Sequence, residues 1–144
     1  MKRHLLATVA AIIPLAATIV TVAGLGSAAI VTPAFAHGCT PGFWKNHLED
    51  LPFSETATLN DLFGTSLPSD LNLSAEEALN AGGGGFNALV RHAVSALANS
   101  LTIDDYKYTD AEVIDKFQDA IDDNEYESVK NKFESANEAP SCPF

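Results

Sequence analysis

Two cysteines limit most narrowly what this chain can fold into. Cys39 and Cys142 are its only ones, and they stand about 100 residues apart. Both follow a stretch that reads as an export signal. Lys2 and Arg3 form a short positive start, residues 5–30 are apolar apart from small polar residues and Pro14, and Ala34-Phe35-Ala36 fits a small-x-small cleavage pattern. Residues 1–36 are therefore expected to be a signal peptide, and residues 37–144 a single extracellular domain. An uncleaved membrane anchor is the other reading of the leader, because about 20 apolar residues suffice to span a bilayer. An even cysteine count in an oxidising compartment favours a disulfide. Closing a loop of about 100 residues contributes roughly 4–5 kcal/mol in the chain-entropy description. A domain of this size buries a modest core, so such a tie matters.

Charge narrows the partners. The formal net charge is −11, and all 19 acidic residues lie after residue 36. Loss of Lys2 and Arg3 with the leader makes the domain more acidic still. Such a balance argues against binding nucleic acid or an anionic membrane.

The pattern after residue 36 is helical throughout. Thr40-Pro41-Gly42-Phe43 fits a type II turn, with Pro fixing φ at its second position and Gly supplying a positive φ at its third. Trp44, Leu48 and Leu51 follow at helical spacing, and Pro52 ends that segment. A second short helix is expected over about 56–63, with Leu59, Leu62 and Phe63 inward and Gly64 as its stop. Ser74-Ala75-Glu76-Glu77 reads as a capping box, opening a helix that the glycines at 82–85 must end. The clearest helix spans about 86–101, with Phe86, Leu89, Val90, Ala93, Val94, Leu97 and Leu101 on one stripe. Thr109-Asp110-Ala111-Glu112 is a further capping box. Val113, Ile114, Phe117, Ala120 and Ile121 follow it, and Tyr126, Val129, Phe133 and Ala136 form the last stripe. No segment alternates like a strand. The expected fold is all-α: a small bundle of about five or six short helices, stapled by a disulfide between its N- and C-terminal segments.

Several residues carry possible chemistry. Cleavage after Ala36 would expose His37, whose amine and imidazole could chelate copper with His47 or His92 as the second ligand; imidazole suits that metal. This resembles the histidine brace of the copper-dependent polysaccharide oxygenases, whose fold, however, is a β-sandwich. His47 falls at the flank of the Trp44 face, where a half-buried imidazole bonded to backbone is the simpler expectation. His92 shares a face with Ala88, Ser95 and Asn99, opposite the apolar stripe, and is expected at the solvated surface. A zinc site from Cys39, Cys142, His37 and His47 competes with the disulfide for the same sulfurs. The glycines at 82–85 precede a helix but lack a phosphate-loop pattern, so a hinge is expected there. The acidic run from Asp115 to Glu127 lacks calcium-loop spacing and is expected to be a solvated face. Asn72-Leu73-Ser74 matches the glycosylation sequon.

Three stretches taken together carry a resemblance: Cys39-Thr40-Pro41-Gly42-Phe43-Trp44-Lys45-Asn46-His47, then "GGGGFNALVRHAVSALANS", then "FESANEAPSCPF". The chain resembles a group of uncharacterised secreted prokaryotic proteins and extracellular modules with a C-T-P-G-[FY]-W-K-N-H signature. The resemblance implies export and a self-contained domain, and it carries over no catalytic residue. The expected function is an exported, non-enzymatic structural or interaction module, secreted or otherwise extracytoplasmic. Its structural motif is Pro41, Gly42, Phe43, Trp44 and His47, and its partner is an unidentified extracellular protein or surface, with no nucleic acid and no membrane insertion after cleavage. No cofactor is required by this reading. The alternative is a small copper-binding or other metal-binding redox protein using His37 with His47 or His92.

Overall fold

The structure, a computed structural model, describes residues 37–144. The expected leader, residues 1–36, lies outside the described residues. Six α-helices follow one another: α1 (Pro41–Lys45), α2 (Leu59–Phe63), α3 (Ala75–Asn80), α4 (Phe86–Thr102), α5 (Asp110–Asp123) and α6 (Tyr126–Asn137). A single 3₁₀ turn covers Leu48–Asp50. No strand forms among the described residues, so the all-α expectation holds.

Local chemistry accounts for most of the helix ends. Thr58, Ser74 and Thr109 each cap a helix with both halves of a capping box, the hydroxyl accepting from the third helical N–H and a carboxylate accepting from the cap N–H. The caps of α2 and α3 also lie side by side, with Leu59 N–H donating to Leu73 O and Ala75 N–H to Ala57 O, each at 2.9 Å. Gly64 and Asn124 close α2 and α5 in the left-handed conformation. Gly83 and Gly85 take positive φ between α3 and α4, which lets the chain reverse there. Arg91 secures that reversal by donating to the carbonyls of Ala81 and Gly83.

The N-terminal signature differs from the expected turn. Pro41 and Gly42 begin a helix, with Thr40 as N-cap and its Oγ1 accepting from Phe43 N–H. The fixed φ of proline suits the first position of a helix as well as the second position of a turn, and its missing N–H costs nothing there. Gly42 needs no positive φ in this arrangement. The helix stops after Lys45, so Leu48 and Leu51 are only half-buried and pack on the core's edge.

α4 is the central element. It packs on α1, α3, α5 and α6, most extensively on α6. This overturns two expectations. The Ala88, His92, Ser95 and Asn99 face, expected at the surface, is buried, because α6 and the N-terminal segment cover it. Leu101, expected in the core, is 49% exposed at the helix end, where Ile103 and Tyr106 fill the core instead. Phe63 stacks on Phe117 at 4.2 Å, joining α2 to α5. Leu62, Ile114, Ile121 and Tyr126 pack on the core while only partly buried.

Candidate functional site

The signature residues gather around one buried amide. Cys39 and Cys142 form the expected disulfide, with Cα atoms 4.7 Å apart, and Cys39 is fully buried. Asn99, from the middle of the chain, bonds both the backbone N–H and the carbonyl of Cys39. Asn99 Oδ1 accepts from Cys39 N–H at 3.2 Å and from Trp44 Nε1–H at 2.9 Å. Asn99 Nδ2 donates to Cys39 O at 2.8 Å and to Asn137 Oδ1 at 2.9 Å. An indole N–H can only donate and a carbonyl can only accept, so the amide is held in one orientation, and its two donors and two lone pairs are all used.

The network continues through α6. Tyr106 Oη donates to Asn137 Oδ1 at 2.6 Å, and Asn137 Nδ2 donates to His92 O at 3.0 Å. Trp44, Asn99 and Asn137 are wholly buried. Burial pushes the Tyr106 phenol far above its ordinary range, so it stays a donor. A buried polar network with its capacities met fixes one arrangement of the elements it joins. Here it joins the N-terminal segment, α4, the segment after it and α6.

The chain before Cys39 is held just as closely. His37 forms an isolated parallel bridge with Ser141, and Gly38 N–H donates to Ser141 O at 2.9 Å. A Cβ on Gly38 would fall 2.3 Å from Ala136 O, so only glycine lets the backbone lie against the end of α6.

The three candidate histidines, His37, His47 and His92, occupy separate settings. The His37 ring pairs through Nδ1 with Ser141 Oγ, and its Nε2 lies 3.7 Å from the Asp105 carboxylate. His47 Nδ1 donates to Phe43 O at 2.9 Å, and its ring stacks on Phe43 at 4.2 Å. This is the backbone-bonded, half-buried imidazole that the spacing suggested. His92 is buried between α4 and α6, with Nε2 3.7 Å from Glu134. Among the described residues, no three His, Cys, Asp or Glu side chains gather as a ligand set for a cation. The cysteine sulfurs are committed to each other, so the zinc arrangement weighed above has no thiolate to use.

Aromatic rings finish the clasp. Phe43 stacks on Phe144 at 5.6 Å, and Trp44 meets Phe43 and Phe144 edge-on at 5.1 and 5.6 Å. Trp44 enters the core as expected, whereas Phe43 remains half-buried and Phe144 is 61% exposed. Asn72, the sequon residue, is half-buried, and its Oδ1 accepts from Asn60 N–H at 2.8 Å, near the start of α2. A cleft of about 500 Å³ lies between the 64–68 loop and α5, away from every signature residue.

Sequence reasoning missed Gly38, Asn99, Asn137 and Tyr106. The available signal was Asn99 itself, an amide in the middle of a strongly apolar helix, where a polar side chain calls for a buried partner. No curated protein and no solved structure matches the chain. One family model does, the Protodermal factor 1 C-terminal domain, over residues 39–141, from the first cysteine to the residue before the second. That match corrects the prokaryotic resemblance drawn from the signature: the chain belongs to the Protodermal factor 1 C-terminal domain family, a plant family.

Proposed function

We propose that the chain is an exported, non-enzymatic module that serves as a stable helical unit outside the cell and works through its surface. One observation carries this reading. The residues that make the signature distinctive are spent on closing the fold: Cys39 and Trp44 are buried on Asn99, Thr40 and Pro41 start α1, and His47 bonds to backbone. Export is supported by the leader sequence and by a disulfide that needs an oxidising compartment. The family name points the same way. Among the described residues, no helix is long and apolar enough to cross a membrane.

The test is an intact mass on protein secreted from the full-length gene. The expected mass begins at His37 and lacks two hydrogens at the cysteines. A protein kept in the cell with its leader attached, or secreted with two free thiols, overturns the reading. Copper loading followed by dialysis tests the non-metal part. Stoichiometric copper retained by the wild type and lost on replacing His37 or His47 would establish the metal-binding alternative in its place.

A further inference from the structure

His92 places a titratable ring inside the most extensive helix–helix interface. It is 6% exposed and lies on α4 against α6. Its Nε2 sits 3.7 Å from Glu134 Oε1, while Nδ1 is buried with no hydrogen-bond partner. Ser95 Oγ, one turn along α4, is also buried and makes no bond to it. The charged groups that act on the ring are Glu134 and Lys130 from α6 and Arg91 from its own helix. Lys130 Nζ already holds the other oxygen of Glu134 at 2.9 Å.

A neutral imidazole has one N–H donor, and a protonated one has two. The carboxylate can meet one of them. The other would leave a donor of a charged ring buried at Nδ1 without an acceptor, and buried unpaired donors are costly, more so when charged. The cost falls on the α4–α6 contact, because that contact is what seals the ring. α6 is anchored near its far end by Asn137 on Asn99, and beyond it by the disulfide.

We propose that His92 is an acid-operated release for α6: a second proton on its ring loosens α6 from α4, while the Cys39–Cys142 bond keeps the loosened helix tethered. Opening uncovers the apolar stripe of Val129, Phe133 and Ala136. Burial holds the ring below the ordinary histidine range; Glu134 opposes this, and Arg91 and Lys130 add to it. The sign follows from linkage. As pH falls below about 6.5, the unfolded chain takes up this proton before the folded one, so stability drops between that point and the depressed folded value.

The test compares the purified protein, disulfide intact, with its His92→Gln variant at pH 7.5 and pH 5. Amide exchange, read as protection factors, and thermal melting are both followed. The wild type is expected to lose at least tenfold protection across α6 at pH 5, and to melt about 5 °C lower, the scale of a modest loss in a domain this size. His92→Gln is expected to show neither change. Unchanged α6 protection in the wild type, or the full acid loss retained in the variant, overturns the proposal. Should the variant fail to fold, the wild-type His92 ring signal decides by NMR titration. Protonation below the ordinary histidine range, in step with loss of α6 protection, supports the release, and protonation at or above that range without such loss overturns it.

Discussion

Asn99 grips Cys39 by both its N–H and its carbonyl, across 60 residues of sequence. The disulfide and this amide therefore hold the same residue, one covalently and one by hydrogen bonds. Replacing Asn99 by alanine strands two buried donors, Cys39 N–H and Trp44 Nε1–H, together with the Cys39 carbonyl. At about 1–3 kcal/mol for each stranded group, discounted for relaxation, a loss of roughly 3–5 kcal/mol is expected in urea unfolding. Asn99→Asp keeps the shape and the two accepted bonds but loses both donated ones, and should also destabilise strongly. A loss under about 1 kcal/mol for Asn99→Ala would show that the network is not central to the fold.

Two glycines of the signature region make opposite predictions. Gly38→Ala drives a Cβ to 2.3 Å from Ala136 O, a backbone atom that can move only with α6. A cost of about 2–4 kcal/mol is expected, comparable to other severe core strain. Gly42 is exposed inside α1, and its added Cβ would lie 3.5 Å from Thr40 Oγ1. Gly42→Ala should leave stability unchanged or raise it by up to about 0.5–1 kcal/mol, because alanine is the better helix former. Had Gly42 formed the type II turn first expected, the same change would destabilise. Melting the two variants beside the wild type separates the two readings.

How much of this was legible in the sequence depended on whether a signal was local. The capping boxes at Ser74 and Thr109 were readable because hydroxyl and carboxylate stand three residues apart. The Gly64 stop and the inward Trp44 were readable for similar reasons. Pro41 was ambiguous, since its φ serves both a turn and a helix start, and Thr40 decided the matter by capping. The face of His92 and Asn99 was misread because periodicity ranks positions by apolarity, whereas α4 is surrounded and buries polar side chains whose partners lie 38 to 60 residues away. Of the clasp, the disulfide and Trp44 could be found in advance. Gly38, Asn137 and Tyr106 could not, because what fixes them is the approach of α6.

Removing the disulfide tests how far the hydrogen-bonded half of the clasp suffices. Cys142→Ser is the cleaner variant, because Cys142 is only half-buried whereas a serine at Cys39 would bury a hydroxyl. The sequence separation is 103, for which loop closure contributes about 4–5 kcal/mol. That corresponds to a melting point lower by roughly 20 °C. The Asn99 contacts should keep the remaining fold helical at low temperature, with proteolysis starting in the residues after α6. A variant that melts within a few degrees of the wild type would remove the disulfide from the account of stability.

Acid should act a second time, below the range of His92. Asp61 is held below the usual carboxylate range by bonds from the Thr58 hydroxyl and N–H, and Glu77 and Glu112 by the N–H and hydroxyl of Ser74 and Thr109. Their folded values lie below their unfolded ones, so their stabilisation is complete above the unfolded carboxylate range. It is lost as pH falls through the folded values, below about pH 4. A protonated carboxyl no longer accepts two bonds as an anion, and the first turns of α2, α3 and α5 lose the carboxylate half of their capping boxes. The triple change Asp61→Ala, Glu77→Ala, Glu112→Ala should therefore lower the melting temperature at pH 7. The gap to the wild type should narrow progressively as pH falls from about 4, below the unfolded carboxylate range. Between pH 7 and pH 5 the gap should stay constant, because that interval lies above the range in which these carboxyls take up protons and His92 is present in both proteins. Melting curves at half-unit steps of pH check both limbs. A gap that persists undiminished at pH 2.5 would show that these side chains act by packing or helix propensity, with their charge playing no part.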